Sequence, residues 1–320
     1  MNAEGKFMSF LIRIFSAILA FFIFSSSGDI ASYAPLDKDN MKLSFTVISD
    51  GHMEGNESQK HKNYGEGFCD MASAEVMSRA LIMVGDNTMN SQVAEQAMLY
   101  GLMNKYNKIE NVLMAVGNHD ICPATHNRGD YDTLKKRFMT FNNAFLDNQI
   151  ENLYYSKVID GYHFIVLASD DDAGLRQYIS PEQFAWLDAE LKAAEESGNP
   201  VFLFSHWPLN DVFEGVWDEG HVGEQSDELK ELLKKYDNRI FFFTGHLHMG
   251  IFDDGYGIED DGDITCINVP SFGSENDVGD ADHQETGMGY QVEVYDDEIV
   301  LRVRNFVSHE WTQFEYYLDI

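Results

Sequence analysis

Basic residues are scarce in this chain of 320 residues, which has 22 Lys and Arg against 54 Asp and Glu and a formal net charge of -32. Such a surface repels polyanions, which argues against nucleic-acid or anionic-membrane binding through basic patches. We therefore expect a small phosphorylated substrate and no polynucleotide binding through basic patches. A phosphate-bearing substrate would need bound cations to neutralise its charge locally.

Cysteine is also rare, with Cys69, Cys122 and Cys266 as its only occurrences. Three widely spaced cysteines define no disulfide framework. A Cys69–Cys122 disulfide near the loops described below is one interpretation, and three buried thiols are the other. No cysteine lies near the N-terminus, so lipidation of a cysteine there is not expected.

Long apolar runs are limited to residues 7–24, which Arg13 interrupts. The uninterrupted part, residues 14–24, is shorter than the roughly 20 residues that span a bilayer. Basic Lys6 precedes the run and small residues follow it, as in an export signal. We predict that residues 1–34 form a signal peptide or an N-terminal membrane anchor plus linker, and that the protein is exported, either secreted or anchored at the extracytoplasmic face of the membrane. The membrane would be a partner only through this segment, if it is not cleaved.

The rest of the chain, residues 35–320, has the alternation of strands and helices that is typical of one α/β domain. Residues 53–70 are expected to form a loop, residues 72–84 to begin as a helix and end as a strand, and the tail strands to complete a second sheet. The other predicted strands are residues 43–49, 112–116, 154–158, 162–167, 201–204, 240–243, 291–295, 300–303 and 314–318, and the predicted helices are residues 92–107, 227–236 and one beginning at Ser180-Pro181.

Five short polar motifs each follow an apolar run of strand character. They are Asp50-Gly51-His52, Gly85-Asp86-Asn87, Gly117-Asn118-His119-Asp120, Ser205-His206 and Gly245-His246-Leu247-His248. Because the carboxyl ends of parallel strands meet at one edge of a sheet, the polar side chains should gather there. Oxygen and imidazole ligands without thiolates suit Fe, Mn, Zn or Co. The set is large enough for two divalent or trivalent transition-metal ions.

These motifs, in this order, resemble the calcineurin-like metallophosphoesterase superfamily over residues 43–248. The resemblance implies a four-layer α/β/β/α sandwich of two mixed sheets flanked by helices, with a dimetal site at the C-terminal ends of strands. It also implies the ligands by position. One metal would be bound by Asp50, His52, Asp86 and His248, and the other by Asp86, Asn118, His206 and His246, so that Asp86 bridges; His119 would lie over the substrate, and Asp120 would either orient His119 or fix its loop.

The residues after Gly85-Asp86 narrow the resemblance. Asn87-Thr88-Met89 lacks the tyrosine of purple acid phosphatases and does not match the motif of phosphoprotein phosphatases. What remains resembles class III cyclic-nucleotide phosphodiesterases and related extracytoplasmic phosphatases, which leaves phosphodiester and phosphomonoester substrates, including nucleotides, both open.

The expected mechanism follows from two neighbouring cations. They would lower the pKa of a bridging water, and the resulting hydroxide would attack phosphorus. His119 would stabilise charge and protonate the leaving oxygen. A catalytically silent interaction protein or a plain metal-binding protein is the alternative, and the complete ligand set counts against it.

Substrate selection is expected to depend on the loops near the predicted ligands. Arg128 and Arg176 could hold a phosphate, and Trp207 could stack on a base. An ordinary surface or packing role is the competing interpretation for each of them.

Overall fold

The fold is an α/β sandwich in a computed structural model that describes residues 3–24, 29–56, 58–122, 129–171, 176–213, 222–251, 257–273 and 285–320. The helices are α1 Ala3–Ile23, α2 Ser58–Met71, α3 Val93–Tyr106, α4 Asn118–Ile121, α5 Tyr131–Phe145, α6 Pro181–Glu195 and α7 Ser226–Leu233, which a 3-10 turn, Gly223–Gln225, precedes. The strands are β1 Leu43–Ile48, β2 Ala80–Val84, β3 Asn111–Ala115, β4 Tyr155–Ile159, β5 Tyr162–Val166, β6 Val201–Phe204, β7 Ile240–Thr244, β8 Ile258–Asp260, β9 Ile264–Asn268, β10 Met288–Val294, β11 Glu298–Asn305 and β12 Glu310–Asp319.

Two mixed sheets of six strands are formed by these described strands. The first has the order β12-β11-β10-β1-β2-β3, and β1, β2 and β3 are parallel in it. The second has the order β4-β5-β6-β7-β9-β8, with β5, β6, β7 and β9 parallel. Helices lie in the connections between β1, β2 and β3 and between β5, β6 and β7, which is why the sequence alternates strand and helix there.

The two sheets face each other across an aromatic core. Phe45 of β1 packs edge-to-face against Phe164, Phe202 and Phe204, with ring centroids 4.7 to 6.3 Å apart. Side chains alternate along each strand, so Phe202 and Phe204 point into this core while Leu203 points to the helices on the outer face. Sheets packed in this way bring the ends of β1 to β3 close to the ends of β6 and β7.

Helices cover the outer face of each sheet, which completes the predicted four-layer α/β/β/α sandwich. α1, α2, α3 and α5 pack together over the first sheet, and α6 and α7 pack over the second. α6 begins as predicted, because the Ser180 side chain accepts a hydrogen bond from Gln183 N and Pro181 occupies the first turn.

The prediction of a loop over residues 53–70 and of a helix from residue 72 was wrong. The helix is α2, and it ends at Met71. Its two glycines lower helix propensity, which hid it in the sequence. They fit close contacts instead: a Cβ added to Gly65 would lie 2.3 Å from the Phe24 ring, and one added to Gly67 would lie 2.6 Å from the Phe272 ring.

The tail strands do not complete the second sheet. β10 pairs antiparallel with β1, and β11 and β12 continue the first sheet outward from β10. β2 pairs with one edge of β1, and the returning strand β10 pairs with the other edge. Arg304 of β11 then anchors the sheet to α2 through two hydrogen bonds of 2.7 Å to Asp70, and both residues are buried.

The N-terminal helix α1 lies against the domain. Ser16 and Ala20 of α1 are buried, and a Cβ added to Gly101 of α3 would lie 2.4 Å from the Ser16 carbonyl oxygen. No helix within the described residues is long and apolar enough to cross a membrane. Cys122 and Cys266 are buried thiols outside any disulfide, so the suggested Cys69–Cys122 bridge is not formed.

Candidate metal centre

The structure brings the polar residues of all five motifs together at one edge of the sandwich. Each motif follows a parallel strand by one to four residues. Asp50 follows β1, Asp86 follows β2, Asn118 follows β3, His206 follows β6, and His246 and His248 follow β7. The gathering at strand ends expected from the sequence is therefore present.

The loops that carry these side chains have unusual backbone conformations. Non-glycine residues with positive φ are uncommon and cost about 1–3 kcal/mol each, so they concentrate where function requires them. Five of the nine positive-φ non-glycine residues found in the described chain are predicted ligands: Asp50 (51°), His52 (45°), Asp86 (44°), His246 (71°) and His248 (45°). The fold holds these residues in conformations that point their side chains toward one another.

Glycines in the motifs leave room for the carboxylates. A Cβ added to Gly117 would lie 2.1 Å from Asp86 Oδ1, and a Cβ added to Gly245 would lie 2.5 Å from Asp50 Oδ2. Any side chain at either position would collide with a predicted ligand. The glycines are therefore needed for close approach between neighbouring loops.

One group of donor atoms consists of Asp50, His52 and His248, which can place one ligand atom each within 4.8 Å of the others. His248 Nε2 lies 3.4 Å from Asp50 Oδ1. The His52 and His248 rings are 5.0 Å apart. This group contains three of the four residues expected at the first metal.

A second group consists of Asp86, His206 and His246, also within 4.8 Å of one another. His206 Nε2 lies 3.1 Å from His246 Nδ1 and 3.2 Å from Asn118 Oδ1. These are the four residues expected at the second metal, and all four are buried.

Asp86 lies between the two groups. Its Oδ2 atom is 3.3 Å from His52 Nε2 and 3.3 Å from His206 Nε2. One carboxylate oxygen therefore faces an imidazole from each group, which is the position that a bridging ligand requires.

The hydrogen bonds of the imidazoles show that the donor set fits cations. His52 Nδ1 is 3.1 Å from the Asp50 carbonyl oxygen and His206 Nδ1 is 2.9 Å from the Val84 carbonyl oxygen. A carbonyl can only accept, so each Nδ1 carries a proton and the Nε2 atom of each ring is directed to the centre. Around His206 Nε2, the lone pairs of Asp86, Asn118 and His246 also converge, and such a set is stable only with a proton or a metal cation among them.

The pKa values of these groups follow from the same geometry. Burial opposes ionisation of Asp50, but the nearby His206 and His248 outweigh it and lower the pKa of Asp50 to about 2. Burial likewise disfavours the charged form of His206, but Asp86 and Asp50 raise its pKa to about 9. Burial, followed by the charge of His206, lowers the pKa of His246 to about 3. Ionised carboxylates beside a neutral imidazole attract cations.

His119 lies at the open side of the centre. Its side chain is 16% exposed, its ring is 4.7 Å from that of His52, and its Nε2 is 3.9 Å from Asp86 Oδ2. Nδ1 is 2.8 Å from the Met89 carbonyl oxygen, which orients the ring. Its backbone N–H donates to Asp86 Oδ1 at 2.8 Å. A ring held in this way directs Nε2 toward the space in front of Asp86.

Asp120 lies behind this loop and is fully buried. Its carboxylate accepts hydrogen bonds from Gly117 N (3.1 Å), from Asn87 N (3.1 Å) and Nδ2 (3.0 Å), and from Thr88 N (3.0 Å) and Oγ1 (2.8 Å). It thereby joins the loop after β2 to the loop after β3. Of the two roles expected from the sequence, these contacts favour fixing the loop.

A sixth segment, after β9, supports the centre and was missed by the sequence analysis. Ser271 Oγ and Gly273 N both donate to the Asp50 carbonyl oxygen at 3.1 Å, the same oxygen that His52 Nδ1 contacts. On the other side, Tyr64 of α2 donates to the Asn87 carbonyl oxygen at 3.1 Å. The sequence did contain a signal for the segment after β9, because small polar residues follow an apolar strand there as in the five motifs.

The expected substrate contacts have different outcomes. Trp207 is 1% exposed and packs edge-on against His206 with ring centroids 5.2 Å apart, so of its two interpretations the contacts favour packing behind a predicted ligand over stacking on a base. Arg176 is exposed, and its side chain lies over Gly223. Arg128 lies outside the described residues.

Comparison with known proteins agrees with this arrangement. The model of the calcineurin-like phosphoesterase family matches residues 43–250, and no protein of curated function matches. The fold is similar to that of a dimetal phosphatase from Danio rerio, with a TM-score of 0.60, 13% identity and coverage of 87% of this chain and 99% of that one. It is also similar to a purple acid phosphatase from yellow lupin (Lupinus luteus) seeds, with a TM-score of 0.58, 12% identity and coverage of 87% and 53%. GAP50, the anchor in the inner membrane complex of Plasmodium, has a TM-score of 0.58, 13% identity and coverage of 87% and 89%. The chain belongs to the calcineurin-like phosphoesterases.

Proposed function

We propose that this protein hydrolyses a small phosphomonoester or phosphodiester outside the cytoplasm, with two transition-metal ions (Fe, Mn, Zn or Co) as cofactors. The observation that carries the proposal is the position of Asp86 between two groups of ligand atoms, with His119 at their open side. A nucleotide fits this class of substrate. The proposed location is based on the apolar N-terminal run of the sequence.

The residues of the centre would bind the two ions in two groups that share one carboxylate. Asp50, His52 and His248 would hold one ion, and Asn118, His206 and His246 the other, with Asp86 shared. When bound, the two ions supply an activated water nucleophile and neutralise charge on the phosphoryl oxygens. The hydrogen bonds from His52 and His206 to backbone carbonyls fix the tautomers that ligation needs.

His119 would act as the proton donor. Met89 holds Nδ1, so a proton on Nε2 would be delivered into the space in front of Asp86, where a leaving oxygen would lie. His119 and His248, with side chains 16% and 23% exposed, mark the side from which a substrate would approach. Proton donation matters most for an alkoxide leaving group, because a nitrophenolate leaves without help.

The test measures metal content and hydrolysis in the full chain. The substrates are 4-nitrophenyl phosphate, bis(4-nitrophenyl) phosphate, a cyclic nucleotide and an alkyl phosphate. The variants are Asp86→Asn, His119→Ala and, as a control on α6, the half-buried Asp188→Asn. We expect Asp86→Asn to lose both metal and activity. We expect His119→Ala to keep its metals but to lose about 10²- to 10⁴-fold in kcat, with the larger loss for the alkyl ester.

Several results would refute the proposal. If the metal-loaded parent hydrolyses none of the esters, the protein is an interaction or metal-binding protein with this fold. Activity that survives Asp86→Asn would refute the assigned centre. An equal loss for both leaving groups in His119→Ala would refute proton donation. Recovery of the full chain only in the cytoplasmic fraction of its cells would refute the proposed location.

A further inference from the structure

The outer face of α1 is an apolar surface exposed to solvent. Residues at helical spacing form the face: Phe7, Leu11, Ile14, Ile18 and Phe22, with Met8, Phe10, Phe15 and Phe21 at its sides. Phe21 and Phe22 are 71% and 78% exposed. Monomeric proteins rarely expose so large an apolar patch unless it binds something. We call these nine side chains the α1 apolar face.

The opposite face of α1 is attached to the domain, so the helix lies along the domain surface. Ser16 and Ala20 are buried against α3, where Gly101 permits close contact. At the C-terminal end, Tyr106 Oη donates to the Phe24 carbonyl oxygen at 3.1 Å and the two rings pack 5.1 Å apart. Arg13 donates to the Ala144 carbonyl oxygen of α5. α1 is therefore an integral part of the helical layer, and its apolar face points outward.

Charge around the α1 apolar face differs from that of the rest of the chain. α1, α3 and α5 together contain six basic residues and three acidic ones, although the whole chain has a net charge of -32. One of the acidic residues, Glu95, is buried and caps α3. Two lysines and one carboxylate of α5, Lys135, Lys136 and Asp132, line a groove between α5 and Met8 of α1. Three of the six, Arg13, Lys105 and Arg137, donate to backbone carbonyls of the protein, and the other three are Lys6, Lys135 and Lys136.

We propose that α1, α3 and α5 form a membrane-binding surface, with α1 lying in the plane of an anionic phospholipid bilayer. The aromatic side chains would enter the acyl boundary while the lysines contact headgroup phosphates, the arrangement of an amphipathic helix at a membrane interface. The expectation that no basic patch binds an anionic membrane was based on the net charge of the whole chain. In the fold, the excess negative charge lies on other elements.

A second copy of this chain is a poorer occupant of the α1 apolar face. Symmetric association would bring two basic helical layers together and would bury like charges beside an apolar contact. A bilayer with anionic lipids supplies the opposite charge instead. An anionic bilayer therefore complements both the apolar character of the α1 apolar face and the charge of the lysines beside it.

The experiment is flotation of the full chain with vesicles of phosphatidylcholine alone and with about 30 mol% phosphatidylglycerol. We expect binding to the mixed vesicles that weakens as salt rises from about 0.05 to about 0.5 M. Phe21→Ser combined with Phe22→Ser should weaken binding to both kinds of vesicle by about tenfold or more. Lys135→Gln combined with Lys136→Gln should weaken binding to the anionic vesicles alone.

The matched control is Tyr317→Ser on β12, because Tyr317 is 58% exposed and lies on a different layer. It should leave flotation unchanged. Melting temperatures verify that each variant is folded. Hydrolysis of 4-nitrophenyl phosphate should be the same in all variants, which separates this proposal from the proposed function.

Three outcomes would overturn the proposal. The first is no flotation of the parent, or equal flotation of the Phe21 and Phe22 variant. The second is a stable dimer in solution that these substitutions dissociate, which would make a second copy the occupant. The third is an intact mass of the protein from its cells that lacks α1, which would make the segment a cleaved leader.

Discussion

Replacing Asp120 tests which of two roles this buried carboxylate has beside the metal centre. It accepts hydrogen bonds from three backbone N–H groups, those of Asn87, Thr88 and Gly117. Burial, followed by the charge of Asp86, raises the pKa of Asp120, and the hydrogen bonds oppose that increase. Asp120→Ala would leave these three buried N–H groups without their acceptor, and the Asn87 amide and Thr88 hydroxyl would each lose a hydrogen bond as well.

The magnitude follows from these contacts. A buried donor without a partner costs about 1–3 kcal/mol, and partial relaxation of the loop recovers some of that cost. We expect Asp120→Ala to lower the free energy of unfolding by about 3–5 kcal/mol, and Asp120→Asn, which keeps one acceptor oxygen, by about 2 kcal/mol. The control is Asp130→Ala, because Asp130 is an exposed cap that accepts one hydrogen bond from Thr133 N at 2.8 Å. It should cost about 1 kcal/mol.

The assays are urea unfolding, metal content by mass spectrometry and hydrolysis of an alkyl phosphate. If Asp120 fixes the loop, Asp120→Asn loses stability and metal together, and its defect adds to that of His119→Ala. The reasoning is refuted if Asp120→Asn keeps its stability and both metals but loses as much activity as His119→Ala, with no further loss in the double variant. That result would mean that Asp120 acts through His119.

Two further predictions use matched pairs. Gly245→Ala would place a Cβ 2.0 Å from Ser49 Oγ and should reduce the affinity for metal by at least tenfold, as measured by calorimetry. The control Gly55→Ala, whose added Cβ would have nothing within 4 Å, should bind metal with the affinity of the parent. Equal affinities in the two variants would contradict the close-approach argument. Arg304→Lys breaks a buried bidentate ion pair with Asp70 and should lower the free energy of unfolding in urea by about 3 kcal/mol. Arg79→Lys at an exposed ion pair should lower it by less than about 1 kcal/mol. Similar losses of stability would show that burial does not decide the strength of these pairs.

Sequence patterns predicted the strands and helices correctly where the defining features lie within a few neighbouring residues. The strand before each motif is a short apolar run, and this feature identified β1, β2, β3, β6 and β7. The cap at Ser180 also marked its helix correctly. Local patterns failed at α2, because Gly65 and Gly67 serve contacts with Phe24 and Phe272 that are distant in the sequence.

Pairing between distant segments could not be predicted from the sequence, because it too depends on contacts between residues far apart in the chain. Alternation predicted strands in the tail but not that β10 pairs with β1, since the pairing depends on which strand edge is open in the folded sheet. The sequence left Trp207 open between stacking on a base and packing, and the folded sheets place its ring against His206 in the interior. The contacts of Ser271 with the Asp50 loop likewise exist only once β9 lies beside β7.

The sequence by itself determined the chemistry, because residue types and their order after strands specify the donor atoms and the family. Only the tertiary structure decided the placement: Asp86 between two groups of ligands, Asp120 beneath its loop, and basic helices gathered around an apolar α1 in an acidic chain. The physical reason is that donor identity is a property of single residues, whereas distance, burial and local charge depend on the segments that the fold brings together.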